Sequence, residues 1–130
     1  MEASTSFLKT AIIVLLIFNV TIVFAATTGG ELVWDETFGE VTDDRAYSGI
    51  ELSDGNILMT GYTATTGLGR FDDLYLIKTT SEGVTIWDQT YGGGGLDYGR
   101  AVIEVSSGGY VVTGITTSYG AGNYDVYLLK

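Results

Sequence analysis

The chain has 130 residues, among them 19 Gly, 9 Tyr and no Pro, Cys or His, a composition suited to short strands joined by tight turns. Without Cys it forms no disulfide, thiolate metal site or cysteine nucleophile, and without His it lacks the usual serine-hydrolase triad and zinc hydrolase sites. Its 16 acidic against 6 basic residues give a formal net charge of −10, which argues against a nucleic-acid partner, because phosphate binding needs clustered Lys and Arg.

The first element is an address. Lys9 precedes the apolar run Ala11–Ala26, broken only by Asn19 and Thr21, and Thr27, Thr28, Gly29 and Gly30 follow it. A short polar start, an apolar middle and a small-residue exit is the order of a signal peptide, with Val23 and Ala25 placed for cleavage after Ala25. Counted from Phe7, the run also approaches the ~20 residues of a spanning helix, so an uncleaved anchor over 8–26 is the alternative. Residues 1–25 are therefore expected to be a hydrophobic signal or anchor helix, and 26–31 a linker. The remainder is expected to be secreted or extracellular, touching a membrane only through that segment. The Asn19-Val20-Thr21 sequon falls inside the apolar run and is disregarded.

An internal repeat organises the rest. Trp34-Asp35-Glu36-Thr37-Phe38-Gly39 returns 53 positions later as Trp87-Asp88-Gln89-Thr90-Tyr91-Gly92. The same step takes Ile50-Glu51-Leu52-Ser53 to Ile103-Glu104-Val105-Ser106 and Thr60-Gly61 to Thr113-Gly114. After one deletion, Leu74-Tyr75-Leu76-Ile77-Lys78 pairs with Val126-Tyr127-Leu128-Leu129-Lys130. Two units follow, 32–83 and 84–130. Strands are expected near 32–38, 45–52, 57–63 and 73–79 in the first, and near 84–91, 99–105, 110–116 and 125–130 in the second. Asp54-Gly55, Ser81-Glu82-Gly83 and Gly108-Gly109 are the turns. Runs such as Leu74–Ile77 and Tyr110–Val112 are apolar at consecutive positions, as in strands covered on both faces. The fold expected is all-β: two four-stranded antiparallel propeller-type blades, a partial β-propeller, after the N-terminal helix.

Residues 87–130 (WDQTYGGGGLDYGRAVIEVSSGGYVVTGITTSYGAGNYDVYLLK) resemble one blade of the extracellular β-propeller repeat proteins of bacteria and archaea, and more distantly a kelch-type blade. The resemblance covers about Leu32 to Lys130. It implies an architecture and no particular activity. The first unit departs from it at Gly39-Glu40, where a glycine pair is expected, and at Asp54-Gly55-Asn56, both ordinary turn substitutions. The second unit breaks off in mid-pattern, because the matching Lys78 of the first is followed by a turn and the Trp strand, and two units fall short of the four or more blades with which propellers close. The expectation is a fragment of a longer propeller; the alternative is self-association of copies to close a ring.

Carboxylates are the remaining reactive groups. Asp43-Asp44, Asp72-Asp73, Asp97 and Asp125 fall in or beside loops, where an exported carbohydrate-active hydrolase or lyase would place its acid and base. Asp44 recurs as Asp97 and Asp73 as Asp125, however, and a residue repeated in every unit is better read as a turn builder. Calcium is the one cofactor that Asp72, Asp73 and Asn123–Asp125 suggest, although their spacing matches no calcium loop. Gly92–Gly95 lacks the Lys and the following helix of a phosphate loop. The chain is thus expected not to be an enzyme but a binding or scaffold module, with a protein or polysaccharide as partner. Residues that break the repeat are the candidates for ligand contact: Arg70 (against Asn123), Arg100 (against Tyr47) and Tyr119 (against Thr66).

Overall fold

A computed structural model describes residues 32–64 and 71–130. The expected signal or anchor helix and the segment 65–70 lie outside the described residues. Thr37–Lys130 make one compact unit. Of the unit before it, the described residues Leu32–Glu36 form no strand.

The described chain is all-β. Seven strands occur, β1 (Asp44–Glu51), β2 (Ile57–Ala64), β3 (Asp72–Thr79), β4 (Thr85–Tyr91), β5 (Asp97–Glu104), β6 (Tyr110–Thr116) and β7 (Asp125–Leu129). They build two antiparallel sheets, β1-β2-β3-β4 and β5-β6-β7. Three of the hairpins close alike. In β1–β2, Gly55 N–H bonds Leu52 O at 2.9 Å and Leu52 N–H bonds Asn56 O at 2.8 Å. The β3–β4 turn repeats this with Gly83 and Thr80, and the β5–β6 turn with Gly108 and Val105. Each turn needs a residue at positive φ, +80° at Gly55, which a side chain would resist.

The sheet boundary falls one strand later than the repeat boundary. The Trp87 strand, β4, joins β3 through the Thr80–Val84 turn and completes the first sheet, leaving the second with three described strands. A tight hairpin forces its two strands to be sheet neighbours, whereas Gly92–Leu96 is long enough to carry the chain across to a new sheet. Residues 32–38, which carry nearly the same letters as β4, form no strand themselves. The residue pattern makes a strand only where an edge such as that of β3 is offered.

The sheets pack face to face. Leu58, Leu74 and Leu76 from the first sheet, and Leu52 beside it, meet Val102 and Val112 from the second, with Trp87, Tyr110, Tyr127 and Leu129 closing the sides. Each fully buried Leu contributes about 1.5–3 kcal/mol. The first sheet buries consecutive residues on β3, Leu76 and Ile77, and so is covered on both faces there. The second is not. Val126, Leu128 and Ile103, on the face turned away from the core, are 85%, 66% and 56% exposed.

Both first strands bulge at the same repeat position. The β1–β2 register slips at Tyr47, between Ala46 and Ser48, and the β5–β6 register slips at Arg100, between Gly99 and Ala101. Opposite each bulge stands a glycine. A Cβ on Gly61 would lie 1.6 Å from Arg45 O, and one on Gly114 would lie 1.9 Å from Tyr98 O. The recurring Thr-Gly dipeptide therefore has a backbone reason: only glycine leaves room for the bulged neighbour.

Candidate functional site

Two groups of side chains gather functional chemistry. The first surrounds the bulges. A bulge adds a residue to its strand and re-aims the side chain there. The Arg100 guanidinium lies 4.2 Å from the Tyr47 ring centroid and 5.4 Å from that of Tyr98. Tyr62 meets Tyr98 edge to face at 4.9 Å and Tyr47 at 5.9 Å, and Arg45 lies 5.8 Å from the Tyr62 ring. Tyr98 Oη donates to Asp72 Oδ2 at 2.7 Å.

The cluster has a repeat logic. One step of 53 takes Arg45 to Tyr98 and Tyr47 to Arg100, so each unit carries one Arg and one Tyr in opposite order. Where the sheets meet, that exchange sets a cation against aromatic faces in place of two like charges, worth about 0.5–2 kcal/mol for a stacked Arg. Burial raises the Tyr98 phenol above its ordinary value, and the Asp72 carboxylate adds to this. Tyr62 is likewise raised, by burial first, with Arg45 opposing. Arg100 and Tyr47 are exposed, and Arg100 has no ion pair among the described residues. An exposed guanidinium on a tyrosine platform can hold a carboxylate, a sugar hydroxyl or a sugar ring face.

The second group is the loop Gly92–Asp97 with Thr117–Tyr119. Asp97 is fully buried at the head of β5, where its Oδ2 accepts from Gly93 N–H at 3.0 Å and from Ser118 Oγ–H at 2.5 Å. Gly95 N–H donates to Ser118 Oγ at 2.9 Å, Leu96 N–H to Thr117 Oγ1 at 2.6 Å, and Tyr119 Oη–H to Gly92 O at 2.7 Å. The N–H groups of Gly93 and Gly95 are thus occupied internally and offer no phosphate cradle. The same aspartate turn is built twice more: Asp44 accepts from Glu40 N–H at 3.0 Å and Asp125 from Ala121 N–H at 3.1 Å. In all three the carboxylate opens a strand and accepts from the residue four positions earlier.

Asp73 enters this second group from β3. A Cβ on Gly92 would lie 2.0 Å from Asp73 Oδ1 and 2.7 Å from Asp97 Oδ2, so both carboxylates converge on one glycine. Burial, then the charges of Asp97 and Asp72, push the Asp73 carboxyl above its ordinary value. Asp97 Oδ1 is buried without a hydrogen-bond partner among the described residues. Among those residues no group of three or more carboxylates is placed to hold a metal ion.

Of the three candidates from the sequence, Arg100 lies in the tyrosine cluster and Tyr119 in the aspartate loop, half exposed, its ring 5.7 Å from that of Tyr127. Arg70 lies outside the described residues. Tyr98 and Ser118 were not singled out from the sequence as ligand candidates, and Asp72, weighed there for calcium, instead accepts from the Tyr98 hydroxyl. The reciprocal Arg–Tyr exchange was the available signal for Tyr98. No protein-family model, curated protein or solved structure matches the chain.

Proposed function

We propose that the chain is an exported β-propeller repeat module that works by binding or as a scaffold, within a ring larger than its two sheets, and that it meets a protein or polysaccharide partner at the Arg100–Tyr47–Tyr98 cluster. One observation carries the preference for binding over hydrolysis. The loop carboxylates Asp44, Asp97 and Asp125 hold backbone N–H groups at repeated positions, while the exposed Arg100 breaks the repeat and stacks on tyrosine. A side chain that builds every turn alike is committed to structure. One that differs between units and faces water is free to recognise.

Asp73 favours a second reading, an exported carbohydrate-active hydrolase or lyase. Asp73 and Asp97 converge on Gly92, and burial with the charges of Asp97 and Asp72 raises the Asp73 carboxyl, a pairing of the kind that acid–base chemistry uses. Both readings meet in one experiment: electrophoresis through gels containing a panel of polysaccharides, with reducing-end release assayed on the same panel. Binding predicts retardation without release, weakened at least about tenfold by Arg100→Ala and left unchanged by Asp73→Asn. Release that Asp73→Asn abolishes would replace the binding reading with the hydrolase.

A further inference from the structure

We propose, resting on the binding reading above, that the tyrosine cluster takes an acidic polysaccharide, and that Arg45 is its second cationic contact beside Arg100. The chemistry recognised is an oxyanion on a sugar ring, a carboxylate or a sulfate ester, bonded by guanidinium while the ring face lies on tyrosine.

The pairing of charges points to an anion. The described residues hold four basic side chains, Arg45, Lys78, Arg100 and Lys130, in a chain of net charge −10. Lys78 is bonded to Asp54 at 2.9 Å. Arg45 and Arg100 are both exposed, and neither forms an ion pair with a described carboxylate. The acid in direct contact with the cluster, Asp72, accepts instead from the Tyr98 hydroxyl at 2.7 Å. Two guanidinium groups left unpaired by a chain with 16 acidic residues keep their N–H donors for an oxyanion from outside it.

The rings join the two arginines into one site. Arg100 lies 4.2 Å from the Tyr47 ring centroid and 5.4 Å from that of Tyr98, while Arg45 lies 5.8 Å from that of Tyr62. The buried Tyr62 meets Tyr98 at 4.9 Å and Tyr47 at 5.9 Å, so an unbroken run of ring contacts connects the guanidinium groups. Stacking on tyrosine also holds each cation in place at low entropic cost. β1 and β5 each supply one arginine, Arg45 at the repeat position of Tyr98 and Arg100 at that of Tyr47. One cation from each unit on a shared aromatic surface suits a polymer that repeats its charge at a fixed period. The irregular acids of a protein surface offer no such match. Tyr47, 40% exposed, presents the ring on which a sugar face can lie. An exposed ion pair alone is worth at most about fivefold in affinity, so a polymer offering many equivalent sugars is held where a single sugar is not.

The test is electrophoresis of the full chain, in non-ionic detergent, through gels containing matched polymers. Polygalacturonate is set against its methyl ester, and dextran sulfate against dextran, so that each pair differs in the anion and shares the sugar. A poly-glutamate gel stands for an acidic protein. The acidic member of at least one pair should be retained at least about tenfold more strongly than its neutral partner, and which pair responds tells carboxylate from sulfate. Arg45→Ala should weaken that retention about three- to fivefold and leave retention by the neutral member unchanged. Raising salt from about 50 to 300 mM should weaken the acidic retention as well. Circular dichroism checks that each variant keeps its β structure. Equal retention within both pairs, or no effect of Arg45→Ala on the acidic polymer, would overturn the inference and leave binding at Arg100 standing. Equal retention by poly-glutamate would also overturn it, in favour of a protein partner. Retention by no polymer in these gels or in the wider panel, neutral or acidic, would remove the polysaccharide reading together with it.

Discussion

Adding one methyl group at Gly61 is expected to cost far more than its size suggests. The obstruction is backbone: a Cβ there would lie 1.6 Å from Arg45 O and 2.9 Å from Ala46 Cα, and no rotamer relieves it. Real Cβ atoms keep to 3.0 Å or more, so β1 must retreat by roughly 1.4 Å at the bulge that aims Tyr47. Overpacking costs about 1–3 kcal/mol, and each ladder bond loosened at this strand adds about 0.5–1.5 kcal/mol. Gly61→Ala should therefore lose about 3–4 kcal/mol, a large share of a stability of about 5–15 kcal/mol.

Gly55→Ala is the control. Gly55 sits at φ +80° with nothing within 4 Å of a Cβ, so its cost is the left-handed backbone alone, about 1–2 kcal/mol. Urea unfolding followed by Trp fluorescence and by far-ultraviolet circular dichroism measures both. A Gly61→Ala midpoint no lower than that of Gly55→Ala would refute the reasoning from the bulge.

Three further predictions follow from single contacts. Lys78 Nζ, hydrogen-bonded to Asp54 at 2.9 Å, and Asn56 N–H hold the Asp54 carboxyl at about 2, below its unfolded value of about 3.9. A depressed folded pKa stabilises above the unfolded pKa and ceases to do so as pH falls through the folded one. The urea-midpoint difference between the parent and Asp54→Asn should thus shrink from about pH 5 to pH 2, and a constant difference would exclude the linkage. Asp97→Ala strands two donors around a buried site and should cost about 3 kcal/mol, against about 1 kcal/mol for Asp125→Ala in its exposed turn, both read by urea unfolding. Tyr98→Phe keeps the ring against Tyr62 but loses the bond to Asp72, so thermal and urea melts should show a loss of about 1–2 kcal/mol that Asp72→Asn largely reproduces.

What was legible in the sequence divides by the range of its cause. The hairpins were plain at Asp54-Gly55, Ser81-Glu82-Gly83 and Gly108-Gly109, because a turn is decided within a few residues. The expected strand ends lie within two residues of those observed, except over 32–38. There the letters of β4 recur without its ladder, since a strand needs an edge and the sequence does not say where edges are. The aspartate turns were legible as a repeat at Asp44 and Asp97, and Asp125 builds the same turn. The approach of Asp73 to Asp97 was not, because it depends on how the head of β5 sits against the end of β3.

The same division separates construction from recognition. Repeated residues in this chain mostly meet identical backbone needs: Gly61 and Gly114 beside the bulges, Asp44 and Asp97 at strand heads. At the bulge itself the repeat gives out, Tyr47 in one sheet and Arg100 in the next, although the backbone there is the same. A conserved backbone device carrying an unlike side chain means that the fold tolerates variation at that point. Arg100 nevertheless stacks on two tyrosines with its guanidinium exposed and unpaired among the described residues. Substituting Tyr47 or Arg100 should therefore move binding much more than stability, the opposite of what Gly61 and Asp97 should do.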